Sequence, residues 1–367
     1  MSRSRSPHLK PRFHTVQVVM LDVILALLPL LAAAWWAYGS VVLWQVGTAI
    51  AAAWVTELLF STLLLRRPAS ILDGSAVITS LLLVFTLSPA TPLPVVAFGS
   101  AAAILFGKLV FGGLGKNVFN PALVGREFMS VFFASVMTSP DIWKTADLVQ
   151  RSTRDLFPHI EPSGVDGYLA SLVFRPGGAV GECSLACIAL GGLYLLLRHR
   201  ISWHIPLALL GTFMALVWLG DMSAPENAIR YSMAGILLGT IFMATDMPSS
   251  PTTPAGKAYY GAMMGGAMFV MVKGGIRHEY VSFAILTLNA FARPISLAFR
   301  PRTWGEPADW RARAAEILPL TGMIALAVLA VITMDRMGMI PWLVCGYILY
   351  TACHFRLIAG KQVGNPV

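Results

Sequence analysis

The sequence predicts an all-α polytopic membrane protein, built as two inverted five-helix repeats plus a C-terminal helical hairpin. Three observations carry that prediction. Of 367 residues, 56% are hydrophobic and only 12% charged, with a mean hydropathy of +0.70, so the charged groups are too few to coat a soluble globule of this size. The apolar residues gather in runs of about 20, the length that crosses a hydrocarbon core about 30 Å thick. The net charge of +9 sits in short loops between those runs. That makes it a topology signal and not a signature of nucleic-acid binding.

In chain order, residues 1–17 form a basic arm (Arg3, Arg5, Lys10, Arg12) that leads into hydrophobic sequence without a small-residue cleavage site. It reads as a retained cytoplasmic arm and not as a signal peptide. The first repeat, 18–138, holds spans at 18–38, 41–65, 71–87, 94–112 and 118–138. Its third span is short and opens on Asp73-Gly74, which marks it as broken or tilted. Arg66, Arg67 and Lys116 fall on the cytoplasmic side. Residues 139–179 are the one long hydrophilic stretch, with Asp141, Asp147, Arg151, Arg154, Asp155, Glu161, Asp166 and Arg175. Five spans from a cytoplasmic start make it an extracytoplasmic loop, and a connection this long is a first place to seek a cofactor or partner.

The second repeat, 180–298, holds spans at 180–197, 205–219, 231–245, 259–272 and 280–297. Its basic turn Arg198-His199-Arg200 and the loop 299–316 (Arg300, Arg302, Arg311, Arg313) return to the cytoplasm. An odd number of spans per half forces the halves into opposite orientation, hence an inverted repeat. Runs at 317–334 and 340–355 then form the hairpin, 317–358, before a cytoplasmic tail at 359–367. The expectation is twelve helices in the inner membrane with both termini in the cytoplasm.

The repeat is one of order, not of alignable spacing. Residues 112–127, GGLGKNVFNPALVGRE, have a looser echo in Lys273-Gly274-Gly275-Ile276-Arg277 followed by Asn289-Ala290-Phe291-Ala292-Arg293-Pro294. Each follows a Ser/Thr/Pro break, at 86–92 and at 246–254, and then a glycine-dotted apolar run. Irregular backbone at membrane depth is tolerated only where protein or a water-filled cavity surrounds it. The paired breaks therefore read either as a shared central site for an ion or flat cofactor, or as ordinary surface loops. The tandem glycines at 112–113 and 274–275 suit helix C-caps as well as cofactor contacts.

Ionisable groups inside apolar spans cost a few kcal/mol each and invite a functional reading. Asp22, Glu57 and Asp246 are the ion-path candidates, with Asp22 and Glu57 foremost; Lys108 and Glu182 also qualify, although Lys108 can snorkel to the interface. Arg126 and Glu127 are adjacent and point about 100° apart on a helix, so each needs a partner from another span, and their expected role is to lock spans together. The four cysteines imply no disulfide framework, and Cys183-x3-Cys187 fits helix packing at least as well as a metal site. No metal site is expected. Neither is a haem-ligand pair, because the histidines lie in the leader, the outer loop and at helix ends.

Taken together, several stretches resemble one known family. These are Ser6-Pro7-His8, Met20-Leu21-Asp22-Val23 with Ala26-Leu27-Leu28-Pro29, Asp73-Gly74-Ser75-Ala76, Val118-Phe119-Asn120-Pro121-Ala122, Gly181-Glu182, Arg200-Ile201-Ser202-Trp203 with Ile205-Pro206, and Phe242-Met243-Ala244-Thr245-Asp246. From about residue 6 to 304 the order is similar to the D component of the Rnf electron transport complex (RnfD), related to the B component of the sodium-pumping NADH:quinone reductase (NqrB). The resemblance implies a membrane component of a complex that couples electron transfer between NADH and ferredoxin to Na+ or H+ translocation, without being catalytic alone. It implies partners: the membrane components RnfA and RnfE, the flavoprotein RnfG and the peripheral components RnfB and RnfC, besides membrane lipid.

The resemblance also implies FMN held through its phosphate on a loop threonine, in a pattern like Asp-Gly-x-Ser-Gly-Ala-Thr. Here the place reads Val165-Asp166-Gly167-Tyr168-Leu169-Ala170-Ser171-Leu172, which keeps the Asp-Gly and lacks the rest. Ser171 is the nearest hydroxyl and Thr153 the last threonine of the loop. These two are the cofactor-binding candidates, with a noncovalent flavin as the other form. A stand-alone inverted-repeat solute carrier or channel without redox function is the alternative.

Overall fold

The computed structural model describes residues 16–65, 73–151, 172–175, 177–220, 232–276, 279–301 and 310–363. Among them there is no strand, and apolar helices follow one another from end to end. Helices α1 (Val16–Tyr38) and α2 (Ser40–Phe60) turn back on each other at Gly39, whose positive φ of 72° suits a residue without a Cβ. After them come α3 (Ser75–Phe85), α4 (Leu93–Ala102) and α5 (Pro121–Phe132). A second series comprises α6 (Leu185–Leu197), α7 (His204–Leu219), α8 (Met233–Leu238), α9 (Pro254–Lys273) and α10 (Tyr280–Ala298). The chain closes with α11 (Trp310–Arg336) and α12 (Ile340–Val363). Five stretches, among them Leu93–Phe111 and Arg313–Arg336, are long and apolar enough to cross a membrane. The protein is a multi-pass membrane protein.

Helices α3 and α8 are short for the same local reason. Helix α3 runs directly, and α8 after the π-helical turn Gly239–Met243, into a Ser/Thr/Pro stretch that cannot continue a helix; the next helix resumes at a proline, Pro92 as the N-cap of α4 and Pro254 as the first residue of α9, where a missing N–H costs nothing. These breaks are not surface loops. Ser88, Thr91, Ser249 and Ser250 are all buried. Asn120 closes the glycine turn of the first series as the N-cap of α5, its Oδ1 accepting from the Ala122 and Leu123 amides.

Small residues set the helix spacing, as packing inside a bilayer requires. On α9, Gly261 and Gly265 lie one turn apart against α7. A methyl carbon at either would come within 2.6 Å of the Ile205 carbonyl oxygen or 2.5 Å of the Leu209 carbonyl oxygen. Gly191 of α6 meets the Ala26 carbonyl of α1 in the same way, at 2.4 Å. Exposed Trp44, Trp54, Trp218 and Trp342 with Leu197 and Leu318 form the outer, lipid-facing surface.

The hairpin straddles the body. Thr321 of α11 shares a hydroxyl hydrogen bond with Tyr259 of α9, at 2.7 Å, and Arg336 donates to the Gly274 carbonyl at 2.7 and 2.9 Å. Helix α12 reaches the other side, where the Tyr347 hydroxyl donates to the Phe106 carbonyl at 2.7 Å. That carbonyl lies in the π-helical stretch Ala103–Lys108 that continues α4.

Gly265→Val pushes α9 off α7, an overpacking that costs about 1–3 kcal/mol, whereas neighbouring Gly266 has nothing within 4 Å of an added Cβ. Thermal unfolding in detergent should therefore show Gly265→Val clearly destabilised and Gly266→Val close to wild type.

Candidate functional site

Three amide side chains organise the breaks. Gln45 on α2 donates from Nε2 toward the Ser88, Pro89 and Thr91 carbonyls at 3.0–3.1 Å, serving the backbone that α3 leaves unpaired. Asn120 donates from Nδ2 to the Met243 carbonyl at 3.3 Å, at the end of the second half-helix. Its own amide N–H donates to Asn289 Oδ1 at 3.1 Å, while Asn289 Nδ2 donates to the Ser249 carbonyl and the Tyr260 hydroxyl. Asn120 and Asn289 thus tie the first series of helices to the second through buried groups, each of which costs about 1–3 kcal/mol if orphaned.

Arg126 is the second tie. Its guanidinium meets the Glu279 carboxylate in a two-pronged pair at 2.8 and 2.9 Å and donates to the Thr86 carbonyl at the end of α3. The expectation that Arg126 locks spans together is met by this geometry. Glu127 behaves differently: it is buried, and neither carboxylate oxygen accepts a hydrogen bond among the described residues.

The three ion-path candidates lie in three separate clusters. Asp22 of α1 accepts from Arg200 Nε at 2.6 Å, from the Tyr194 hydroxyl at 3.1 Å and from Arg198 at 3.3 Å. A left-handed His199, φ 55°, sits between the two arginines that share this carboxylate. Glu57 of α2 accepts from Lys108 Nζ at 2.5 Å, and the same ammonium reaches Asp73 at 3.1 Å and the Ser75 hydroxyl at 2.5 Å. Lys108 therefore does not snorkel; it is 2% exposed, because two carboxylates hold it inward. Asp246 accepts from Asn117 at 3.0 Å and from Ser249 at 2.9 Å, stiffening the second break. Ser171 and Thr153 lie outside the described residues.

Between the two series is a cavity of about 730 Å³. Phe85, Thr86, Leu123 and Arg126 line it from the first series, and α8, Met243 and Tyr280 from the second. Residues of the long connection and of the turn after it complete the lining: Trp143, Leu172, Arg175, Gly177, Gly178, Ala179 and Glu182. Leu172 directly follows the candidate Ser171 in the chain. The Glu182 carboxylate accepts from Ser232 and lies against Gly178 and Gly235, where a methyl carbon would meet it at 2.5 and 2.6 Å. The Gly177 and Gly178 amides are anchored to the Tyr38 hydroxyl and Thr145 Oγ1. The volume lies within the range of small-molecule and cofactor sites, and its lining combines apolar walls with a few polar groups.

Sequence reasoning passed over Gln45, Asn117 and Arg175 as site residues. A lone amide in the middle of an apolar run, as at Gln45, is the signal that finds the first; nothing in the sequence marks the other two. Among the described residues no group of three His, Cys, Asp or Glu side chains is placed to hold a metal ion. Cys183 and Cys187 are free, and Cys183 is packed in the core.

Removing one member of a buried ion pair leaves the other stranded, at a cost of about 3–5 kcal/mol. Lys108→Met should accordingly destabilise the detergent-purified protein strongly, and Glu57→Met added to it should restore part of the loss. A double variant no more stable than the sum of the single ones would show that Lys108 and Glu57 are energetically independent.

A family model described as NQR2, RnfD, RnfE family matches residues 2–305. The chain is 33% identical over 333 residues to the D component of an ion-translocating oxidoreductase complex of Stutzerimonas stutzeri, covering 80% of this chain and 93% of that protein. It is 33% identical over 305 residues to the D component of the Na(+)-translocating ferredoxin:NAD(+) oxidoreductase complex of Acetobacterium woodii, covering 82% and 94%. It is 34% identical over 322 residues to the proton-translocating counterpart in Clostridium ljungdahlii, covering 82% and 95%. The match stops short of α11 and α12, so the hairpin lies outside it. With the family model spanning most of the helical body and these relatives aligned along most of their length, the chain belongs to the NQR2, RnfD, RnfE family.

Proposed function

We propose that the chain is the D-type membrane component of an Rnf-type complex that couples electron transfer of the NADH/ferredoxin class to movement of Na+ or H+, and that it holds FMN in the cavity between its two series of helices. The cavity is the observation that carries this reading. It lies where the first half-helix ends and the second begins, and its wall includes the connection on which the resemblance puts the flavin. When bound, FMN would supply electron acceptance and donation at the mouth of the membrane domain.

The residues on hand fit such a group. Arg175 offers a cation for the phosphate from the connection side. Phe85 and Tyr280 supply aromatic walls and Leu123 an aliphatic one, while Ser232, Ser282 and the Gly235 backbone supply polar atoms for a ring edge. Arg126 is already committed to Glu279, so it lends positive charge while keeping the wall rigid. Glu182 orients the start of α8 through its hydrogen bond with Ser232. A covalent bond would be made at Ser171 or, less close to the cavity in sequence, at Thr153.

Two inverted five-helix repeats, with both termini in the cytoplasm of a cell bounded by its inner membrane, are the topology this reading requires. The matching order of short helix, buried break, proline-started helix and glycine turn in the two series supports it. The associated partners would be the membrane components RnfA and RnfE, the flavoprotein RnfG and the peripheral components RnfB and RnfC. A stand-alone carrier would need no counterpart to the relatives' redox complexes, and no contact in the described residues favours it.

Arg175→Gln should lower the flavin-to-protein ratio of the purified complex while leaving its assembly intact; an unchanged ratio contradicts a phosphate contact there. Ser171→Ala should abolish any flavin fluorescence that survives denaturation, and fluorescence retained in that variant removes Ser171 as the acceptor.

A further inference from the structure

Glu127 is the acid that the helix-locking networks leave over. It sits in α5, 7% exposed, with both oxygens shielded from solvent and free of hydrogen bonds among the described residues. Asp22, Glu57 and Asp246 are buried or nearly so as well, yet each accepts hydrogen bonds from named donors. The charged groups that face Glu127 come from three elements. Arg126 is its neighbour on α5, Glu279 precedes α10, and Asp335 stands near the end of α11 in the hairpin. Arg126 gives its hydrogen bonds to Glu279 and Thr86, not to Glu127. Two of the three therefore add negative charge around a carboxylate that, among the described residues, accepts no hydrogen bond.

An ionised carboxylate in such surroundings costs many kcal/mol and relieves that cost by binding a cation. We propose that Glu127 is a proton-binding site in the membrane domain, loaded by formation of an O–H bond with a proton from water and emptied by its return to water, with Asp335 of the hairpin on the solvent side. A proton suits the niche better than Na+. A sodium ion needs several oxygens to replace its hydration shell, whereas a proton needs only one carboxylate oxygen, and both oxygens of Glu127 are without a hydrogen-bond partner among the described residues. Asp335, exposed on the hairpin, is the carboxylate whose charge reaches Glu127 from the solvent side. Because α11 lies beyond the family match, this arrangement is built in part from residues the family model does not cover.

The role in ion movement rests on the proposed function; the proton-binding itself does not. The test uses the full-length chain in proteoliposomes, treated with dicyclohexylcarbodiimide, which attacks protonated carboxyls in apolar surroundings, followed by peptide mass spectrometry. The expected result is an adduct on Glu127 that forms when the reagent is applied at acidic pH but not at alkaline pH, is unaffected by added NaCl, and leaves Glu57 unlabelled. Protection by NaCl, or no adduct on Glu127, overturns the proposal. Infrared difference spectra between acidic and alkaline pH supply an independent readout: the band of a protonated carboxyl should be lost in Glu127→Gln and retained in Glu57→Gln. A band unchanged in Glu127→Gln also overturns it. Ion uptake by the whole complex, measured separately, tests the proposed function without bearing on whether Glu127 binds a proton.

Discussion

An unpaired backbone group inside a bilayer has no water to turn to, and Gln45, Asn120 and Asn289 answer that constraint at both helix breaks. Everything else in the body follows from their placement. Two helices stop at membrane depth, their continuation is irregular, and the stranded carbonyls are met by amides projecting from other helices. Because Asn120 and Asn289 also bind each other across the seam, the same groups that satisfy the backbone hold the two series of helices in register.

The charged side chains divide along the same line. Asp22 with Arg198 and Arg200 fastens α1 to the turn after α6, and Glu57 with Lys108 and Asp73 fastens α2, the start of α3 and the continuation of α4. These pairs are largely buried, so their desolvation offsets much of their attraction; what they supply is a single defined arrangement. Arg126 has the same effect at the seam, where it doubles as cavity wall. Rigidity on both sides lets a cavity persist between the half-helices instead of collapsing.

Much of this was legible in the sequence. The hydrophobic runs marked the helices, Pro92 and Pro254 marked their restarts, and the Ser/Thr/Pro stretches marked the breaks, because these are local properties of backbone and hydropathy. Partner choice was not. Nothing local shows that Lys108 turns inward to Glu57 and not outward to headgroups, since that depends on which helix lies across from it. The same holds for Arg126, whose partner Glu279 is separated by 153 positions. Arg175 and Asn117 were passed over for this reason, whereas Gln45 stood in an apolar run and was there to be read. Ser171 was singled out by motif alone; its neighbour Leu172 on the cavity wall is the structural fact that now bears on it.

Photolabelling tests most directly the central claim, that the cavity at the seam is a flavin site. An azide-bearing FMN analogue would be bound to the purified complex, photolysed, and its adducts located by peptide mass spectrometry. A flavin seated in the cavity predicts adducts on the connection near Leu172 and Arg175, on α8 or at Tyr280, diminished by excess FMN. Adducts confined to other surfaces, or no competition by FMN, would contradict it.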